Sequence, residues 1–196
     1  MQPAKQETNK PEAVLKSALR RFLKFGVRRT AVADIAKDVG LSTSAVTALF
    51  KDKEALVLAC YDRHLRAHRR EAKKITESTL EARGKLRIYL LNRFYAWREV
   101  NNATPQSFEF TSVLVRLGPD RINEEEDLLI ETLAKIISIG VAGKVFRVDK
   151  PLKEAEIAAM CLNSCFPLPG LRRPRQAGEK ELLELIDWLL AKWRRR

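Results

Sequence analysis

Apolar positions in the first part of the chain recur at the three- and four-residue spacing of a helix. Val14, Leu15, Ala18, Leu19, Phe22 and Leu23 form one stripe, which Pro11 opens and Gly26 ends. A second stripe follows at 31–38 with Thr30 as its N-cap, and a third at 43–49 with Ser42 as its N-cap. Asp52 is placed to cap a long helix that continues through ALVLACYDRHLRAHRREAKKI to the late seventies. Beyond it the helical period persists and strand alternation is missing. The pattern predicts helices near 80–101, 105–117, 119–147, 153–166 and 178–194, with Pro105, Pro119 and Pro151 near helix starts. The segment PLPGLRRPRQAG at 167–178 is too rich in Pro, Gly and Arg for regular structure and reads as a loop. The fold class is all-α, with about nine helices: an N-terminal three-helix domain over 11–52 and a C-terminal helical domain over 53–196, preceded by a disordered basic arm at 1–10.

Within residues 30–54 the spacing is that of a helix-turn-helix, the unit that seats its second helix in the DNA major groove. Ala36 is the small residue needed where the two helices cross, and Gly40 is at ease with the positive φ of the turn. Ile35, Val39, Leu41, Val46 and Leu49 occupy inward positions. An ordinary helical hairpin with Gly at its turn is the plainer alternative. The third helix turns Thr43, Ser44, Thr47 and Ala48 outward, side chains that reach base edges through hydroxyls or touch a thymine methyl but form no bidentate pair. Direct readout is therefore modest, groove shape contributes specificity, and affinity leans on phosphates. Lys53 is the first anchor expected, because it sits at the start of the long helix, where free N–H groups and the helix dipole favour an anion. Lys51, Arg28, Arg29 and the Thr30 hydroxyl flank the same surface, and Lys5 and Lys10 of the arm reach toward a neighbouring groove. With the N-cap Ser42 these complete the expected DNA-contacting set.

Charge sharpens that picture. The 196 residues carry a net charge of +12, and the first hundred hold +11 of it. A basic half joined to a nearly neutral one fits a polyanion-binding end attached to a domain with another task, although a solvated basic surface would look the same by charge alone. A hydrophobic share of 45% is ordinary for a soluble globular protein. Cys60, Cys161 and Cys165 are odd in number and lie in apolar helical patterns, so no disulfide framework is expected and a reducing cytoplasm is. MQPAKQETNK has no apolar signal core, and no apolar run reaches membrane-spanning length, so no membrane partner is expected.

The order of a first amphipathic helix, Gly26, Thr30, Ile35-Ala36, Gly40-Leu41-Ser42, Phe50, Lys53-Glu54 and Leu56 resembles the N-terminal domain of the tetracycline-repressor (TetR) family of bacterial transcription regulators. The resemblance covers about residues 12–60; GVAGKVFRVD at 140–149 is similar, more loosely, to a Gly-x-Phe-Arg segment of that family's second domain. It implies an all-helical homodimer that grips a palindromic DNA operator and binds a small-molecule effector in the 53–196 domain. Where the family has a Tyr followed by a basic residue or His, this chain has Thr47 and Ala48, so a phenolic phosphate contact is lost and Lys51 and Lys53 take more of the anchoring.

For the second domain, Phe94, Tyr95, Trp97, Phe108 and Phe110 are candidates to line a pocket for a largely apolar effector, with plain core as the alternative. Asn163, Asn92, Arg93, Glu109 and Thr111 are the polar residues able to orient a ligand. The resemblance makes the last two helices a dimer interface, with Ile157, Leu182, Leu185, Ile186 and Leu189 as candidates; a monomeric core helix is the alternative. Cys60, His64 and His68 share metal-site spacing, but Arg63, Arg66, Arg69 and Arg70 crowd the same helix. A buried thiol and solvated histidines are the default there, and neither a metal nor a cofactor is expected. Cys161 and Cys165 read as packing residues before a redox pair. An enzyme would need a nucleophile with a base, or paired carboxylates in a cleft, and the sequence offers no such set. The expected function is a ligand-released repressor; the alternative is a DNA-binding structural or partner-dependent protein without an inducer.

Overall fold

The computed structural model describes residues 10–100, 104–166 and 177–194. The expected arm, apart from Lys10, and nearly all of the expected 167–178 loop lie outside them. The described residues form nine helices: α1 (Lys10–Phe25), α2 (Val32–Asp38), α3 (Thr43–Leu49), α4 (Lys53–Glu77), α5 (Ala82–Val100), α6 (Pro105–Leu117), α7 (Pro119–Ala142), α8 (Pro151–Leu162) and α9 (Glu179–Trp193). The only bridge among them pairs Phe146 with Arg194, so the class is all-α. Pro105, Pro119 and Pro151 each open a helix, where a missing N–H is harmless and the fixed φ is helical. None of these helices is long and apolar enough to cross a membrane.

The chain packs as two units. The first contains the described residues up to Leu65 and those from Val100 to Arg121; the second contains Arg66–Glu99 and the described residues from Ile122 onward. The boundary expected at residue 53 thus falls inside the first unit. The physical reason is α6, which returns to the amino-terminal helices: the Phe110 ring stacks on Phe22 at 6.0 Å, within a core shared with Val14, Ala18, Ile35, Val46 and Leu56.

The first unit holds its helix-turn-helix with one carboxylate. Asp38, the last residue of α2, accepts from Ser17 Oγ at 2.6 Å, from Arg20 Nη2 at 2.9 Å, and from both Nε and Nη2 of Arg21 at 2.6 Å. The Arg21 hydrogen bond, then that of Ser17, holds the Asp38 carboxyl well below the usual carboxylate range.

In the second unit Leu86, Leu90, Phe94, Leu133, Ile136, Leu162, Ile186 and Trp193 form the core. Lys85 is buried there and donates to the carbonyls of Ile75, Thr76 and Ser78, so a lysine side chain caps the carboxyl end of α4. Two helices are shorter than the periodicity predicts. α7 ends at Ala142 instead of 147, because Lys144 takes a positive φ of 58° and Phe146 folds back over Gly140, where a Cβ would sit 2.0 Å from the ring. Phe146 then meets Trp193 edge-on at 5.7 Å. α8 ends at Leu162 rather than 166 and begins at Pro151 itself.

Because Asp38 is more acidic folded than unfolded, its contribution is complete above the unfolded carboxylate value of about 3.9 and is lost as pH falls below it. Asp38→Asn is expected to lower the thermal midpoint at pH 7, with the difference from the parent narrowing between about pH 4 and pH 2. Circular-dichroism melts across that range check the sign; a difference that does not change with pH would contradict it.

Candidate nucleic-acid interface

α2 and α3 are joined by a turn in which Gly40 adopts φ +67° and Leu41 N–H returns to the Ala36 carbonyl at 2.9 Å. Ile35, Ala36 and Val46 are buried between the helices, and Val39 and Leu41 pack against them. Leu49 does not join this core: it is 44% exposed at the last residue of α3. Ser42 caps α3 by accepting from Ala45 N–H at 3.1 Å, and its Oγ lies 2.9 Å from that of Ser44. Thr43, Ser44, Thr47 and Ala48 are all exposed, so among the described residues nothing covers one face of α3. The Thr47 hydroxyl donates to the carbonyls of Thr43 and Ser44, each at 3.1 Å, which leaves its oxygen as an outward acceptor beside its methyl group.

The loop ahead of α2 is held from two sides. Gly26 adopts φ +88°, and the Glu109 carboxylate of α6 lies so close that a Cβ on Gly26 would meet Oε2 at 2.3 Å. Glu109 Oε1 accepts the Arg28 N–H at 2.7 Å. From α4, Lys53 Nζ donates to the Arg28 carbonyl at 3.2 Å and to the Thr30 carbonyl at 3.3 Å. Arg28 and Arg29 are thereby presented outward, exposed together with Lys51, and the three make no side-chain ion pair among the described residues.

Two expectations are corrected at this point. Thr30 neither caps α2 nor offers its hydroxyl to a phosphate: it is buried and donates to the Gly26 carbonyl at 2.8 Å, while Ala31 is the N-cap. The start of α4 is also less open than expected. Asp52 Oδ1 already accepts the Ala55 N–H at 2.8 Å, and two of the three Lys53 ammonium hydrogens serve the loop.

Residues 14–60 match the family model for bacterial regulatory proteins of the tetR family. Over those residues the chain is similar to that family. Its fold as a whole is similar to those of solved transcriptional regulators. A transcriptional regulator from Cytophaga hutchinsonii shares 22% identity over 95% of this chain and 100% of its own, with a TM-score of 0.76. SmeT, the repressor of the Stenotrophomonas maltophilia multidrug efflux pump SmeDEF, shares 16% over 94% of this chain and 90% of its own, with a TM-score of 0.65. A Saccharomonospora viridis regulator solved in complex with choline shares 18% over 96% of this chain and 100% of its own, again with a TM-score of 0.65. No curated protein matches the chain in sequence.

The first unit also claims residues expected in an effector pocket. Phe110 belongs to its core, Phe108 is exposed on α6, Glu109 is the loop clamp, and Thr111 is buried with its hydroxyl on the Ser107 carbonyl. Of the expected pocket set, the second unit holds Phe94, which is buried, Tyr95, which is exposed, and Trp97 and Asn163, which are half-buried. The expected dimer set divides in a similar way: Leu182, Ile186 and Leu189 are buried in the second unit's own core, whereas Ile157 and Leu185 are half-buried. The large apolar residues left outward on α8 and α9 are Leu152, 57% exposed, Met160, 71% exposed, and Trp188, 54% exposed.

Cys60 is a core thiol that donates to the Leu15 carbonyl, and burial pushes it up to about 12. His64 stacks on Tyr61 at 5.7 Å, and the His68 side chain is only 11% exposed, so the expectation of solvated histidines fails. Cys161 ends up within α8, whereas Cys165 is buried in the turn beyond it. Sequence reasoning missed the Glu109 and Lys53 clamps, since neither spacing nor charge marks a contact between residues so distant in the chain.

Lys53→Met removes two charge-assisted bonds to carbonyls and is expected to lower stability by about 1–2 kcal/mol and to weaken binding to all DNA sequences alike. Urea denaturation with a gel-shift titration checks it; unchanged stability with weakened DNA binding would make Lys53 a phosphate contact and not a loop clamp.

Proposed function

We propose that the protein is a ligand-responsive repressor, acting in the cytoplasm as a homodimer on a palindromic operator and released by a small, largely apolar molecule. The carrying observation is the bare α3 face beside three exposed, unpaired cations on an otherwise tightly clamped domain. A rigid hydroxyl face fits a groove floor, and exposed guanidinium and ammonium groups fit the phosphates on its edges. Thr47 contributes an acceptor and a methyl, matched to an adenine or cytosine amino group and to a thymine methyl; Thr43, Ser44 and Ala48 fill the remaining contact surface. Arg28, Arg29 and Lys51 are the principal phosphate anchors, and Lys53 adds its remaining hydrogen.

Dimerisation is supported by the apolar surface that α8 and α9 leave outward around Met160, Trp188, Ile157 and Leu185. A second copy doubles the DNA contact and sets two α3 helices about 34 Å apart, one turn of the duplex. A ligand that binds better to a form with another spacing shifts the population away from DNA. Effectors are supported by analogy: SmeT, a structural neighbour, is known in a triclosan complex.

Footprinting and gel shift on the DNA upstream of its own gene are expected to show a protected inverted repeat. About eight phosphate contacts per dimer give a log K against log salt slope near −7. Lys51→Ala removes one contact per subunit and flattens that slope by about 2. A monomeric protein without affinity for duplexes in dilute salt overturns the proposal, and equal affinity for random and upstream sequence favours a DNA-binding structural protein instead. Thr47→Val keeps shape but deletes the acceptor, so it is expected to lower sequence preference by about 1 kcal/mol while leaving the salt slope unchanged.

A further inference from the structure

The second unit buries a set of polar side chains that its own chain leaves incompletely paired. Tyr89 and Arg93 stand one turn apart on the same face of α5. Arg93 is only 9% exposed; its Nη2 forms an ion pair with Glu125 Oε1 of α7 at 3.2 Å, and its guanidinium lies 5.6 Å from the Phe166 ring centre. His68 Nδ1, from α4, lies 3.6 Å from the same Glu125 oxygen. Arg93 Nη1 and Tyr89 Oη are buried and make no well-formed hydrogen bond among the described residues, although the Thr132 and Arg93 side chains lie close to the phenol. Thr132 is buried on the same helix as Glu125, and its hydroxyl is already used on the Leu128 carbonyl.

A folded chain rarely keeps a buried guanidinium hydrogen and a buried phenol unpaired, because each has given up water for nothing. If the cluster only held the fold together, Glu125 would suffice for Arg93, and a phenylalanine would serve better than Tyr89. Both open groups can donate, so the missing partner is an acceptor. A cation set between these two donors would face the positive Arg93 guanidinium, and the nearby Glu125 carboxylate already lies against Arg93 and His68. Charge-assisted bonds are the stronger kind, which favours an anionic acceptor, and a guanidinium edge suits a carboxylate best. Phe94 and Phe166, edge to face at 6.3 Å, supply apolar surface beside it.

We propose that the effector is a small organic acid whose carboxylate is received between Arg93 Nη1 and Tyr89 Oη, with its apolar body lying beside Phe94 and Phe166. The proposal rests on the ligand-responsive reading above and names the chemistry of its ligand.

Isothermal titration and thermal-shift measurements on the full chain test it, with benzoate, phenylacetate and octanoate as probes against benzamide, phenylacetamide and octanamide. At least one acid is expected to bind at millimolar concentration or tighter, with its amide at least about tenfold weaker. Tyr89→Phe is expected to weaken that acid about tenfold while leaving the ligand-free melting temperature equal to the parent's or higher, because it deletes an unpaired hydroxyl. Arg93→Gln is expected to abolish binding. Both variants are expected to bind upstream DNA as the parent does in the absence of acid. Amides binding as tightly as acids, Tyr89→Phe binding the acid undiminished, or no acid binding at all each overturn the carboxylate site. Release from DNA by a neutral compound would still leave the repressor reading standing. Acid binding by a protein with no affinity for DNA would do the reverse.

Discussion

The candidate DNA face depends on where α1 stops and how the chain leaves it. Gly26 takes a backbone conformation that a side chain resists, and Glu109 occupies the space where a side chain would have been. The loop that follows is then bound by a carboxylate from α6 on its N–H side and by the Lys53 ammonium on its carbonyl side. Both clamps act on backbone groups, so they fix the path of the loop irrespective of its side chains and leave Arg28 and Arg29 free to point outward. Asp38 performs the matching task at the far end of α2, tying it to α1 through Ser17, Arg20 and Arg21. With α2 secured at both ends, the short α3, which at seven residues is far too brief to be stable alone, inherits its position from its neighbours.

The same clamp explains why the first unit includes a helix from the middle of the chain. α6 supplies Glu109 to the loop and Phe110 to the core in consecutive residues, one side chain polar and working at the rim, the next apolar and stacked on Phe22. A helix that does both is a structural part of the first unit, and Phe110 on it is unavailable as a pocket wall.

In the second unit the notable expense is polar. Lys85 is buried but fully employed in capping α4, whereas Arg93 and Tyr89 are buried and only partly employed. The contrast separates a residue retained for the fold from residues whose burial the fold does not explain. On the carboxylate proposal a largely apolar effector keeps its body against aromatic rings, while its recognition rests on a guanidinium and a phenol.

The sequence by itself determined the helices and the helix-turn-helix, because these follow from local rules: apolar spacing, Pro at first turns, Ser42 and Asp52 as caps, Gly26 as the end of α1 and Gly40 at positive φ. It also determined the outward hydroxyl face of α3, since a seven-residue helix with one buried stripe has few ways to turn. Side-chain assignments that hang on distant partners were not legible. Thr30 looks like a cap until Gly26 offers it a carbonyl, Lys53 looks like an anion site until the loop takes its hydrogens, and Leu182, Ile186 and Leu189 look equally suited to an interface or a core. Only the tertiary structure decided which of two apolar faces on α9 was covered, where α6 belonged, and that Arg93 was buried, because burial depends on what the rest of the chain brings to a surface and helical periodicity carries no record of it.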